Sequence, residues 1–184
     1  MDILNLNKSK IKRDILRLYF AHEEKRYYLR ELERLLKRPA AYIRRELIKL
    51  EKEGLFLSEY SGKERYFWLD CNFFLFKEVR GIVNKTIGIE GRLRKILSQE
   101  EGIEEAYIFG SYAKGKLEAE SDIDLLLIGP GNNLKARKNI YNLQRMFERE
   151  INIIDMDKKE MEKRKKEKDE FFSNIFSGKI IKIK

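Results

Sequence analysis

The stretch that most limits what this chain can become runs from Phe109 to Gly129 and reads Phe-Gly-Ser-Tyr-Ala-Lys-Gly-Lys-Leu-Glu-Ala-Glu-Ser-Asp-Ile-Asp-Leu-Leu-Leu-Ile-Gly. Ahead of it, Ala106, Tyr107, Ile108 and Phe109 make a short apolar run of the buried-strand type. Gly110 and Ser111 stop that run, so a strand is predicted from Glu105 into the turn. Asp122 to Ile128 is a second apolar run. Side chains alternate along a strand, so Asp122 and Asp124 point to one face while Ile123 points to the other. Two ionised carboxylates this close raise each other's pKa or need a cation between them. A divalent metal is the economical explanation. Oxygen-only ligands favour a hard ion, Mg²⁺ or Mn²⁺, which binds through one or two carboxylates plus substrate phosphates. Gly110 lets the backbone come close to a ligand, and Ser111, at a turn that opens a helix, offers a hydroxyl and N–H groups to a phosphate.

The succession Gly110-Ser111, Gly115 and Ser121-Asp122-x-Asp124-Leu125 resembles the signature of the DNA polymerase beta-like nucleotidyltransferases, specifically their minimal domains. The bland alternative is a hydrophilic hairpin loop with a chance Asp-x-Asp. The resemblance implies a two-metal mechanism, in which ions about 4 Å apart clamp the triphosphate and activate an attacking hydroxyl. In that reading Asp122 and Asp124 hold Mg²⁺, Gly110 and Ser111 hold the β- and γ-phosphates, and Lys114 helps to neutralise them. The family carries a third carboxylate on a later strand. The matching stretch, Ile151-Asn152-Ile153-Ile154-Asp155-Met156-Asp157, puts Asn152 at that position. An amide oxygen ligates a metal weakly, brings no negative charge and cannot accept a proton as a base. Alternation puts Asp155 on the opposite face, so it substitutes only if the strand end twists. Asp157, with Glu160 three residues on, reads as a capping box opening the next helix.

At 184 residues, the chain is long enough for one medium domain or two small ones, and the motifs favour two. Charged residues make up 39% and the net charge is +9, while 42% hydrophobic content excludes wholesale disorder. One cysteine, Cys71, excludes an internal disulfide and a cysteine zinc cluster. The one histidine, His22, is expected at the surface or as a helix cap, which leaves little room for histidine-based catalysis. The charged N-terminus does not read as a signal peptide, and no apolar stretch approaches the length of a membrane span, so a cytoplasmic location is expected. Charge is uneven: residues 1–88 hold 20 Lys/Arg against 13 Asp/Glu, and residues 89–184 hold 20 against 18. The first half is the one expected to face a polyanion.

In that half, Ile11, Ile15, Leu18 and Tyr19 recur at helical spacing and predict a helix over residues 8–22. Leu29, Leu32, Leu35 and Leu36 mark a second helix. Pro39 fits the first position of a third, whose buried stripe is Ile43, Leu47 and Leu50. Ala41, Arg44, Arg45, Lys49 and Lys52 fall on or near the opposite side. Residues 55–60 and 65–69 are β-rich and are joined by Ser61-Gly62-Lys63-Glu64, a hairpin signal. Leu47-x-x-Leu50-Glu51-x-x-Gly54-Leu55, followed by Gly62 and Tyr66, resembles the winged helix-turn-helix of ArsR-like transcriptional regulators. The resemblance implies that the third helix enters the DNA major groove, with Arg44, Arg45 and Lys49 near bases or phosphates and Lys63 and Arg65 touching the backbone. The alternative is a protein-binding module with a solvated charged face. Tyr42, Tyr66 and Trp68 are expected in the core.

Residues 72–88 read as a connecting helix, and Leu93, Ile96 and Leu97 as the first helix of a second domain. The phenylalanines of this stretch could equally form a dimer seam, since ArsR-like proteins usually pair, and a homodimer would supply two DNA half-sites. Residues 134–149 predict a helix linking two strands. Residues 157–168 predict a charged helix continued by Phe171, Phe172, Ile175 and Phe176, and residues 179–184 an edge strand. The expected fold is therefore α+β: a winged helix-turn-helix over 1–71, a connector over 72–88 and a mixed-sheet nucleotidyltransferase domain over 89–184. The resemblances imply transfer of a nucleoside monophosphate from an NTP to a protein, RNA or small-molecule hydroxyl. Small proteins of this family also occur with a helical partner in toxin–antitoxin pairs. The competing expectation is a transcriptional regulator or antitoxin-type protein whose transferase domain, impaired by Asn152, serves nucleotide sensing or dimerisation.

Overall fold

A computed structural model describes residues 6, 9–115, 122–130 and 134–184. Ser121 of the central motif and Lys8 at the start of the first predicted helix lie outside them. The chain divides into two compact units, Met1–Gly88 and Ile89–Lys184, and its helices and two small sheets make a mixed α+β fold. Among the described residues no helix is long and apolar enough to cross a membrane.

The first unit opens with α1 (Lys10–Ala21), capped by Ser9, whose hydroxyl accepts the Lys12 N–H at 3.1 Å. Then come β1 (Tyr27–Tyr28), α2 (Leu29–Leu36), α3 (Ala40–Lys52), β2 (Phe56–Ser61), β3 (Glu64–Leu69) and α4 (Phe76–Thr86). Pro39 stands just ahead of α3 as its cap. The hairpin β2–β3 turns at Gly62, whose φ of +60° suits glycine. The antiparallel sheet has the order β1-β3-β2. The predicted stripes meet in one core: Ile15, Leu16 and Tyr19 of α1 with Ile43, Leu47 and Leu50 of α3 and Phe56 and Phe67 of the hairpin. Tyr19 donates its hydroxyl to the Phe67 carbonyl at 3.1 Å, and a buried ion pair, Lys12 to Glu46 at 3.9 Å, ties α1 to α3.

One feature differs from expectation. The stretch read as a connector belongs to this core, because Phe76, Val79 and Val83 of α4 are buried in it. His22 is the C-cap of α1, the second of the two places expected for it, with its N–H bonded to the Tyr19 carbonyl, and it is buried.

The second unit runs α5 (Ile89–Leu97), β4 (Glu105–Phe109), α6 (Gly110–Lys114), β5 (Ile123–Ile128), α7 (Leu134–Phe147), β6 (Ile151–Met156), α8 (Lys158–Lys166), α9 (Glu170–Ser177) and β7 (Ile181–Lys182). The sheet order is β6-β5-β4-β7, with β5 and β6 parallel across α7 and β4 antiparallel to both neighbours. One sheet face presents Phe109, Leu126, Ile128 and Met156 to Phe172 and Ile175 of α9. The single helix expected over 157–176 is two. Lys168 takes a left-handed φ of 50°, and Asp169 caps α9 by accepting the Phe172 N–H at 2.8 Å. No residue of α8 is buried, so it has no apolar stripe to keep in line with Phe172 and Ile175.

Candidate functional site

The second unit's site is built where β4 turns into α6. Gly110 has a φ of +74°, and a Cβ there would stand 2.2 Å from Asp124 Oδ2. Both the left-handed backbone and the absent side chain are required for the Asp124 carboxylate to lie against the turn. Pairing explains the approach: Phe109 is the cross-strand partner of Asp124, and Asp124 is in turn the partner of Asn152 on β6. Ser111 follows in the first turn of α6, half-buried, and Gly115 closes that helix with a φ of +74°.

Asp122 stands just before β5, exposed, and accepts the Asn152 Nδ2–H at Oδ2 over 3.4 Å. Strand alternation thus brings Asp122, Asp124 and Asn152 to one face, the same face as Phe109 and Leu126. No cation among the described residues pairs with either carboxylate. Two carboxylates and an amide, with the Asp124 carboxylate filling the space that a side chain at 110 would take, offer oxygen ligands and fit a hard divalent ion better than any soft one. With an amide in third place, no three His, Cys, Asp or Glu side chains among the described residues gather closely enough to hold a metal.

Asp155 points away, to the α7 side, where it pairs with Arg137. It therefore does not join Asp122 and Asp124. Asp157 caps α8, its carboxylate accepting the Glu160 N–H at 2.7 Å. Lys114 ends α6 exposed, and its Cε would lie 3.9 Å from a Cβ placed on Gly178, so its stem runs beside the turn that follows α9. Two residues near this turn carry no motif signal. Tyr112 reaches toward the buried Glu90 of α5 at 3.4 Å. Phe171, foreseen only as part of an apolar run, lies edge-to-face on Phe109 with ring centroids 6.4 Å apart, and 43% of it is exposed.

In the first unit, Ala41, Arg44, Arg45, Lys49 and Lys52 are all on the exposed side of α3. The Arg45 guanidinium sits 5.5 Å from the centre of the Tyr42 ring, so this tyrosine is on the surface and not in the core. Lys49 lies 3.7 Å from Glu46, and Lys63 is exposed in the hairpin turn. Arg65 is engaged within the unit. It grips Glu51 of α3 with contacts of 2.8 and 3.0 Å and reaches Ser58 Oγ at 2.9 Å. Tyr66 and Trp68 are half-buried on the sheet face opposite Phe67, with Arg26 stacked 4.2 Å from the Trp68 ring centre.

Residues 91–181 match the family described as nucleotidyltransferase domain. No curated protein matches the chain in sequence. Among solved structures, a toxin–antitoxin crystal structure with AMP-PNP is similar at 23% identity and a TM-score of 0.31, over 36% of this chain and 56% of that one. A mutant of the toxin–antitoxin pair MntA-HpeT is similar at 14% identity and a TM-score of 0.38, over 52% of this chain and 73% of that one. A nucleotidyltransferase structure from Sulfolobus solfataricus shares 28% identity at a TM-score of 0.28, over 40% of this chain and 68% of that one. The chain thus spans little more than half the length of the first of these.

Proposed function

We propose, from the match of residues 91–181 to the nucleotidyltransferase domain family, that the second unit moves a nucleoside monophosphate from an NTP to an acceptor hydroxyl on a protein, an RNA or a small molecule. The observation that carries this reading is that Asp124 lies against the Gly110 turn while Asp122, bonded to Asn152, shares its face of the sheet. The acceptor oxygen forms a bond to the α-phosphorus, the bond from that phosphorus to the bridging oxygen of the β-phosphate breaks, and pyrophosphate leaves. Asp122 and Asp124, with the Asn152 amide oxygen, would hold Mg²⁺ or Mn²⁺, which neutralises phosphate charge and lowers the pKa of a bound hydroxyl. Gly110 gives the Asp124 carboxylate room beside the phosphates, and the Ser111 hydroxyl donates to them. Lys114 adds positive charge at the far end of α6. Asn152 takes no proton, so the acceptor's proton passes to water or to a base carried by the acceptor.

One observation favours a second reading. The Asn152 N–H engages Asp122 directly, as an amide would in a site that binds nucleotide without turning it over. In that case the domain is a nucleotide sensor coupled to a regulator or antitoxin-type protein.

For the first unit we propose a winged helix-turn-helix that binds DNA. Support comes from the α2–α3 pair followed by a hairpin, from exposed Arg44, Arg45 and Lys49 on one side of α3, and from Lys63 at the turn. The excess of basic residues over 1–88 agrees with a polyanion partner. A homodimer would present two such helices, and a helical partner protein is a further acceptor candidate.

The test is incubation with each α-labelled NTP and Mg²⁺ or Mn²⁺, for wild type and Asp124→Asn. Label on protein or added RNA that vanishes in the variant supports transfer. Nucleotide binding with no label in any combination supports the sensor.

A further inference from the structure

Phe171 stands beside the site with only part of its ring packed. In α9 the sheet-facing side is Phe172 and Ile175, with Phe176 partly buried beside them. Phe171 is off that side, 43% exposed, at the first turn of a helix whose start is pinned by the Asp169 cap. Its contact is Phe109, approached at 87° between ring planes, and Phe109 is the strand partner of Asp124. Directly opposed residues of an antiparallel pair keep their Cβ atoms roughly 5 Å apart on one face. Phe171 is therefore one ring removed from the carboxylates, on their face of the sheet and at their end of β4 and β5.

An edge-to-face contact uses one side of a ring system and leaves apolar surface in water, which favours a flat apolar occupant. A nucleotide whose phosphates lie at Gly110 and Asp124 brings one. We propose that Phe171 is the platform on which the base of the bound nucleotide stacks, with Phe109 as its support. This rests on the reading of the Gly110 turn as the phosphate site. A platform without a polar group holds bases by stacking alone, so it accepts all of them and favours the larger purines.

The full-length protein is titrated calorimetrically in Mg²⁺ with ATP, with CTP and with inorganic tripolyphosphate, which has the phosphates and no base. The expected result is that Phe171→Ala weakens ATP by about 5- to 150-fold, the range a lost base–aromatic stack gives, and leaves tripolyphosphate unchanged. Wild type should bind ATP more tightly than CTP, and Phe171→Trp should keep ATP affinity and show fluorescence quenching with ATP but not with tripolyphosphate. The tryptophan variant also guards against a misfolded alanine variant. Unchanged ATP affinity in Phe171→Ala, or no ATP-specific quenching in Phe171→Trp, overturns the platform while leaving the phosphate site intact. Equal loss of ATP and tripolyphosphate in Phe171→Ala also overturns it, because the ring would then be only a structural support. If wild type binds neither ligand, the phosphate site itself fails, and the platform with it.

Discussion

Asn152 gives its amide N–H to Asp122 across 3.4 Å, from a strand whose parallel register also sets it beside Asp124. The position where a third carboxylate would stand is thus occupied by a neutral donor that helps to hold one of the two carboxylates. Asn152→Asp replaces that donor with a charge and a base. Three carboxylates repel without metal, so the variant should melt lower in EDTA and recover with Mg²⁺. If wild-type transfer is limited by the missing base, turnover should rise about a hundredfold or more. Melting in both conditions and single-turnover labelling check the two effects. A variant insensitive to Mg²⁺ in both would mean that position 152 lies outside the metal's reach.

Gly110→Ala tests the other side of the same site. The left-handed backbone alone costs roughly 1–2 kcal/mol for a residue with a Cβ, and that Cβ would stand 2.2 Å from Asp124 Oδ2. The carboxylate must move or the turn must open. Chemical denaturation should report a loss of at least that size for the second unit, and tripolyphosphate binding should fall with it. Gly115→Ala has the same φ and, among the described residues, no atom within 4 Å of its added Cβ, so it should share the stability cost without the binding loss.

Alkaline pH should weaken the second unit through Tyr107. Burial, with a hydrogen bond to the Glu105 carboxylate, pushes its phenol up from 10.0 to about 12. The folded form keeps its proton longer than the unfolded chain does. That contribution is complete below about pH 10, where both forms are protonated, and is lost as pH rises toward 12. Tyr107→Phe cannot ionise, so its melting temperature should fall less steeply between pH 9.5 and 11.5 (roughly the window set by the shift). Tyr19, raised chiefly by burial in the first unit's core, keeps its own alkaline loss in that variant.

Legibility followed the range of the interactions involved. The site's layout was open to reading because two local rules make it: strand alternation puts Asp122, Asp124 and Asn152 on one face, and a glycine is needed where the chain turns left-handed. That Asn152 stands beside Asp124 was legible only through the family resemblance, which aligned it with the third carboxylate. What depends on distant partners was not open. β1 is two residues long and exists because Tyr27 and Tyr28 meet Phe67 and Tyr66. The break between α8 and α9 follows from where the sheet's apolar face lies. Phe171 belonged to an apolar run in the sequence, and only the packing of α9 on β4 separates it from its buried neighbours.

The same limit bears on DNA binding, because charge on a sequence does not tell a free cation from an engaged one. Arg44 and Arg45 are exposed on α3, whereas Arg65 is held by Glu51 and Ser58. If α3 reads DNA, Arg44→Ala and Arg45→Ala should each weaken binding and flatten the dependence of log K on log salt by about one unit where the lost contact is to phosphate. Arg65→Ala should act differently. It leaves Glu51, about one-quarter exposed, without its cation, so it should lower the melting temperature of the first unit, with little change in the salt slope. Filter binding to duplex DNA across a salt series, beside thermal melting of each variant, separates the two. A slope that falls for Arg65→Ala and stays constant for Arg44→Ala and Arg45→Ala would move the contact surface from α3 to the hairpin.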